Sequence, residues 1–195
     1  MCEVTNKEPG SWHEPGSYLI IMANRKIVLG IGNTLNTDEG LGVHALDGLR
    51  ARLGEIDQLE VLDGGTLGLN LLPLVEEASH LLVLDAVNVG EPPGTVVELA
   101  KDDIPLFRGI KMSDHQITFQ EVLGLAKIRD KFPEHLHLIG AQPADLSIGV
   151  GLSPTIEAVI PELVERTICV LKNWGIIPAE GKQNEYRSYN LYNTT

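Results

Sequence analysis

The sequence predicts an α/β fold: a three-layer sandwich in which a twisted, mostly parallel five-stranded sheet is flanked by helices. Strand-like and helix-like segments alternate along the chain, the pattern of a parallel sheet with helical crossovers. Most of the strand-like segments are unbroken apolar runs, as expected of strands covered on both faces. The 195 residues, 43% apolar and 22% charged, suffice for one domain with a real core.

Residues 1–24 are set apart as an N-terminal extension, polar and carrying two Pro-Gly pairs. Met22 opens MANRKIVLGIGN, near the start of a single domain over 25–175. Residues 26–31 (KIVLGI) form the first strand and 32–37 a loop. A helix follows over 38–53, because Leu41, Ala45, Leu46, Leu49 and Leu53 keep helical spacing. Residues 59–62 make a second strand, ended by Asp63-Gly64-Gly65-Thr66, and 69–78 a second helix with an early Pro73. The third strand is 81–87 (LLVLDAV), apolar except for Asp85. A Pro-Gly turn at 91–94 leads to a fourth strand at 95–99, and 101–112 connect irregularly to a helix at 116–129. The fifth strand is 136–141. A closing helix spans 154–174, where Pro161 is expected to kink it or start a second segment. Residues 176–195 form a polar C-terminal tail with Tyr186, Tyr189 and Tyr192.

Lys and Arg number 15 against 27 Asp and Glu, a net charge of −12. Such a chain repels phosphate backbones, so no nucleic-acid partner is expected. The apolar run at 18–23 is too short to cross a bilayer, and no basic segment precedes it as in a signal peptide. No membrane association is expected. Cys2 and Cys169 stand at opposite ends of the chain, which suits the reducing cytoplasm.

Ligands of open parallel sheets bind beyond the carboxyl ends of the strands. The polar residues placed there are Asn33, Asp38, Glu39, Asp63, Thr66, Asp85, Asn88, Gln142 and Asp145, with Ser113, Asp114 and His115 before a helix. Carboxylates and one imidazole converging from distant segments make a candidate site for a divalent ion such as nickel, zinc or iron. Each also has a plainer reading. Asp38 fits a helix N-cap and Glu39 a first-turn acid. Asp63 fits a turn, and Ser113 to Gln116 a capping box beside His115. Asp85 is hardest to explain structurally, since a carboxylate ending an apolar strand costs stability unless it is bonded.

Other motifs fail. Gly30-Ile31-Gly32 follows a strand, but position 35 is Leu, so the dinucleotide fingerprint is incomplete. There is no Walker A loop, H-E-x-x-H or G-x-S-x-G. His135 and His137 fall at the amino end of the fifth strand, away from the candidate site, and read as surface.

GIGNTLNTDEGLGVHAL, DGGTLG (63–68), LLVLDAV (81–87), SDHQ (113–116) and GAQPADLSIGVGLSP (140–154) resemble, in order, the blocks of the hydrogenase maturation proteases. These endopeptidases trim the large subunit of nickel–iron hydrogenases. The resemblance covers about residues 26–174. It implies a twisted α/β sheet and a metal-binding set matched by Glu39, Asp85 and His115, with Glu39 where the family often has Asp. It further implies an aspartyl-type endopeptidase and a large-subunit precursor as partner, whose installed nickel is recognised before a C-terminal peptide is removed. The nickel is then the substrate's own, and zinc or cadmium is expected to occupy the site in vitro. Asp38 is the candidate general base, or positions the water. Asp63, Gly64, Gly65 and Thr66 are candidates for presenting main chain to the substrate. Two rival readings are a maturation chaperone that binds metal or precursor without cutting, and a nucleotide-binding module built on Gly30 and Gly32.

Overall fold

A computed structural model describes residues 24–106 and 118–178 of the chain. The expectations for His115, for the Ser113–Gln116 capping box and for the tail tyrosines lie outside the described residues.

The sheet is built on β1 (Arg25–Ile31), flanked in parallel register by β2 (Leu59–Gly65) and β3 (Ala78–Ala86). Next to β3 runs β5 (His135–Ala141), also parallel. The edge strand β4 (Val96–Ala100) is antiparallel to β5, giving the order β2-β1-β3-β5-β4. The expected five-stranded, mostly parallel sheet is therefore present. β3 starts three residues earlier than its apolar run suggested, because Ala78 already pairs with Arg25. β2 continues through Asp63-Gly64-Gly65, where the sequence predicts a break.

Alternate strand residues feed two cores. Val28, Leu82, Leu84 and Ile139 pack on one face with α1 (Leu41–Leu53) and α5 (Ile160–Asn173). Ile27, Leu29, Leu81, Val83 and Leu138 pack on the other with α2 (Leu72–Glu77) and α3 (Phe119–Ile128). Burial on both faces is why these strands show no polar alternation. Ile177, counted with the tail in the sequence reading, is buried in the first core.

Three helix boundaries differ from expectation. A 3-10 turn over Thr37–Gly40 precedes α1, so the helix proper starts at Leu41. Another 3-10 turn, Gly68–Leu71, precedes α2. The helix placed at 116–129 begins at Phe119, because Thr118 caps it: its hydroxyl accepts from the Glu121 N–H and Glu121 reaches back to the Thr118 N–H. The closing helix is split as Pro161 predicted, into α4 (Pro154–Glu157) and α5, whose first turn holds the proline.

One glycine sets the seat of α1. A Cβ on Gly42 would lie 2.0 Å from the Leu84 carbonyl oxygen and 2.4 Å from that of Ile31. The helix therefore starts directly on the carboxyl ends of β1 and β3, which brings the preceding turn to the strand ends. Gly42→Ala is expected to destabilise the protein by about 1–3 kcal/mol, the usual cost of overpacking a tight contact. A lowered urea midpoint would register it.

Candidate active site

β1 is the point where the chain turns from building leftward, to β2, to building rightward, to β3. Crevices form at such switch points. A cavity of about 520 Å³ opens there, lined by Ile31, Gly32, Glu39, Gly65, Asp85 and Phe119 among others. A second hollow, of about 690 Å³, runs along the α1–β2 connection beside Arg50 and Asp57 and contains none of the candidate residues.

Two predicted ligands, Glu39 and Asp85, share the first cavity. Glu39 comes from the 3-10 turn before α1 and Asp85 from the end of β3. They are 46 positions apart in sequence and are brought together by the seat of α1 on the strands. No Lys, Arg or His is among the described lining residues. Burial pushes the Asp85 pKa up to about 8; the Ala86 N–H opposes this, and the Glu39 charge adds to it. A carboxyl so displaced, in a crevice beside a second carboxylate, marks a functional site better than a structural one. Among the described residues no group of three or more His, Cys, Asp and Glu could hold a metal ion. Two oxygen donors fit a hard or borderline divalent cation and leave most of its coordination positions to other groups.

Asp38 has a different role from its neighbour. It is sealed from solvent. Its Oδ2 accepts from the main-chain N–H groups of Ala144 (2.9 Å) and Asp145 (2.8 Å) and from the Ser153 hydroxyl (2.9 Å). Its Oδ1 accepts from the Ser153 N–H (2.7 Å). Burial alone would raise its pKa, but the hydrogen bonds from Ser153, Asp145 and Ala144 outweigh it and hold the carboxyl below the usual range. Its lone pairs are filled by long-range donors, so it is not the N-cap of α1. The same filling leaves little capacity for the general-base role the sequence suggested.

The DGGT turn divides. Gly65 and Thr66 line the cavity, whereas Asp63 and Gly64 do not. Asp63 accepts from the Gly65 N–H at 2.9 Å, an ordinary turn bond. Gly64 leaves no room for a side chain, since a Cβ there would meet Leu29 at 2.8 Å and Ile31 at 3.1 Å. Asn88 and Gln142 also meet, but as loop supports: Gln142 accepts from the Val89 and Gly90 N–H groups and donates to Asn88. At the far end of the sheet, His135 stacks on His80 with ring centroids 4.2 Å apart, and His137 lies 2.8 Å from Glu98. Both lie away from the cavity, as expected, though His137 is half-buried.

One residue escaped the sequence reading. Asn36 Nδ2 donates to Glu39 Oε2 at 2.6 Å and so fixes the direction of that carboxylate. The N-x-x-E spacing was the available signal, since a turn brings positions i and i+3 together.

Fold and site define an α/β protein with an acidic crevice at the switch point of its sheet. The structure of the Escherichia coli hydrogenase maturating endopeptidase HybD matches with a TM-score of 0.71 and 37% identity, covering 77% of this chain and 94% of that one. The family model described as hydrogenase maturation protease matches residues 43–169. Among curated relatives, the hydrogenase expression/formation protein HupD of Rhizobium leguminosarum bv. viciae is 44% identical over 156 residues, covering 79% of this chain and 77% of that protein. The hydrogenase 2 maturation protease of E. coli K12 is 38% identical over 159 residues, 80% of this chain and 97% of that protein. The chain belongs to the hydrogenase maturation protease family.

Proposed function

We propose that this enzyme removes a C-terminal peptide from the nickel-loaded precursor of a nickel–iron hydrogenase large subunit, reading the nickel through Glu39, Asp85 and His115. The observation that carries this reading is the meeting of Glu39 and Asp85, without a neighbouring cation among the described residues, at the sheet's switch point. Two carboxylates alone make a weak resident metal site. They are better suited to sharing a metal held mainly by another protein. Nickel therefore enters as part of the substrate, and zinc or cadmium added in vitro is expected to compete for the same oxygens.

The chain's own residues divide the work. Asn36 orients Glu39, and Asp85 gives up its proton when it becomes a ligand. Gly65 and Thr66 face the cavity beside Glu39, where a second polypeptide backbone would run. Among the described residues no helix is long and apolar enough to cross a membrane.

The test is to incubate the protein with precursor loaded with nickel and with precursor free of it. Loss of the C-terminal peptide's mass from the loaded form alone is expected. Cleavage of both forms would sink the nickel-reading role. A stable complex with uncut loaded precursor would favour the chaperone reading. Asn36→Ala is expected to slow processing by about 10–100-fold, the usual range for removing a group that orients a metal ligand. Its thermal midpoint should stay close to that of the parent.

A further inference from the structure

Apolar side chains stand in water just before the Glu39 turn and on the loop that pairs with it. Ile148 is 91% exposed and Val150 89%, with Leu146 and Leu35 at 50% and 62%. Single exposed apolar residues are commonplace, but four on two adjoining segments form a patch of the kind that marks an interaction site. These segments are braced. The Thr37 N–H donates to the Gly149 carbonyl (3.1 Å), the Gly149 N–H to the Leu35 carbonyl (2.9 Å), and the Thr37 hydroxyl to the Ser147 carbonyl (2.8 Å). The Asp38 carboxylate grips the loop at both ends, through Ala144 and Asp145 on one side and Ser153 on the other. A buried charge with four accepted hydrogen bonds thus holds apolar side chains out of the core.

The ridge is continuous with the cleft, because the segment that pairs with Gly149 runs on directly into Glu39. Leu67 and Leu69 are also exposed, the latter lining the cavity. Among the described residues the main chains of Leu146, Ile148 and Val150 make no hydrogen bond to other main chain. Unpaired main chain beside exposed apolar side chains is what captures an extended peptide.

Resting on the proteolytic reading of the site, we infer that this ridge docks the polypeptide to be cut: an extended segment of the precursor with apolar side chains. It is held by Leu35, Leu146, Ile148 and Val150 and by the main-chain groups of Leu146, Ile148 and Val150 that no other described main chain engages. The test is the double variant I148S/V150S, whose side chains are too exposed to matter for folding. Its affinity for labelled, nickel-loaded precursor is compared with the parent's, and cleavage is scored by mass on the same samples. The expected result is a Kd raised about tenfold or more, the effect of losing an apolar anchor. Unchanged affinity with cleavage intact would overturn the ridge and leave the proteolytic reading standing. That holds equally if the variant abolishes self-association of this chain instead, which would make a second copy the occupant. A parent that binds without cutting, with weaker binding by the variant, keeps the ridge and overturns proteolysis. A parent that neither binds nor cuts overturns both.

Discussion

Asp85→Asn is expected to stop precursor processing, by at least about 100-fold, while making the protein harder to unfold at pH 8. The two effects have one origin. The native fold raises the Asp85 pKa to about 8, chiefly by burial, whereas in the unfolded chain it lies near 4. Between those values the native state keeps a proton that the unfolded state has released. Stability therefore falls as pH rises across that window, and the full penalty is present above it. Asparagine keeps the shape and removes the charge, so it should flatten this slope and add about 1–3 kcal/mol at pH 8. Urea titrations at pH 5 and pH 8, with precursor mass measured in parallel, examine both halves. A variant that processes normally and gains nothing at pH 8 would refute the role given to this carboxylate. Glu39→Gln should share the loss of processing.

Asp38→Ala should produce the largest loss of stability, about 3–5 kcal/mol, because it strips four donors of their acceptor. The loss should appear in chemical denaturation and should be accompanied by lost processing, since the same carboxylate ties the Glu39 turn to the loop at 144–153. Its pH signature is opposite to that of Asp85. The native fold depresses this pKa, so the contribution is present above the ordinary carboxylate value near 4 and disappears as pH falls through the lower, folded value. Asp38→Asn should therefore lose stability at neutral pH and show a shallower acid transition than the parent.

The sheet was legible because β1 and β3 are buried on both sides, which forces continuous apolar runs. The break at Pro161 was legible because proline disrupts a helix interior by its own covalent structure. The start of α3 was not, because S-x-x-Q and T-x-x-E stand five residues apart and both satisfy the capping rule; the described structure uses Thr118. Glu39 and Asp85 could be named beforehand because each closes a strand or opens a helix at the same sheet edge. The function of Asp38 was hidden because its partners lie 106 to 115 positions away, a distance at which local spacing carries no signal. Adjacent acids in the same turn thus looked alike in sequence, yet one faces the cavity and the other is enclosed.

The pairing of Asn36 with Gly149 has a consequence for synthesis. A nascent chain has Glu39 and Asp85 outside the ribosome long before it has the loop that fixes the turn between them. Until Ser153 emerges, the Asp38 carboxylate lacks two of its four hydrogen-bond donors, so the cleft wall has no fixed shape. Peptidase activity should therefore switch on late in translation, and a fragment ending before that serine should be inert however well its first three strands form.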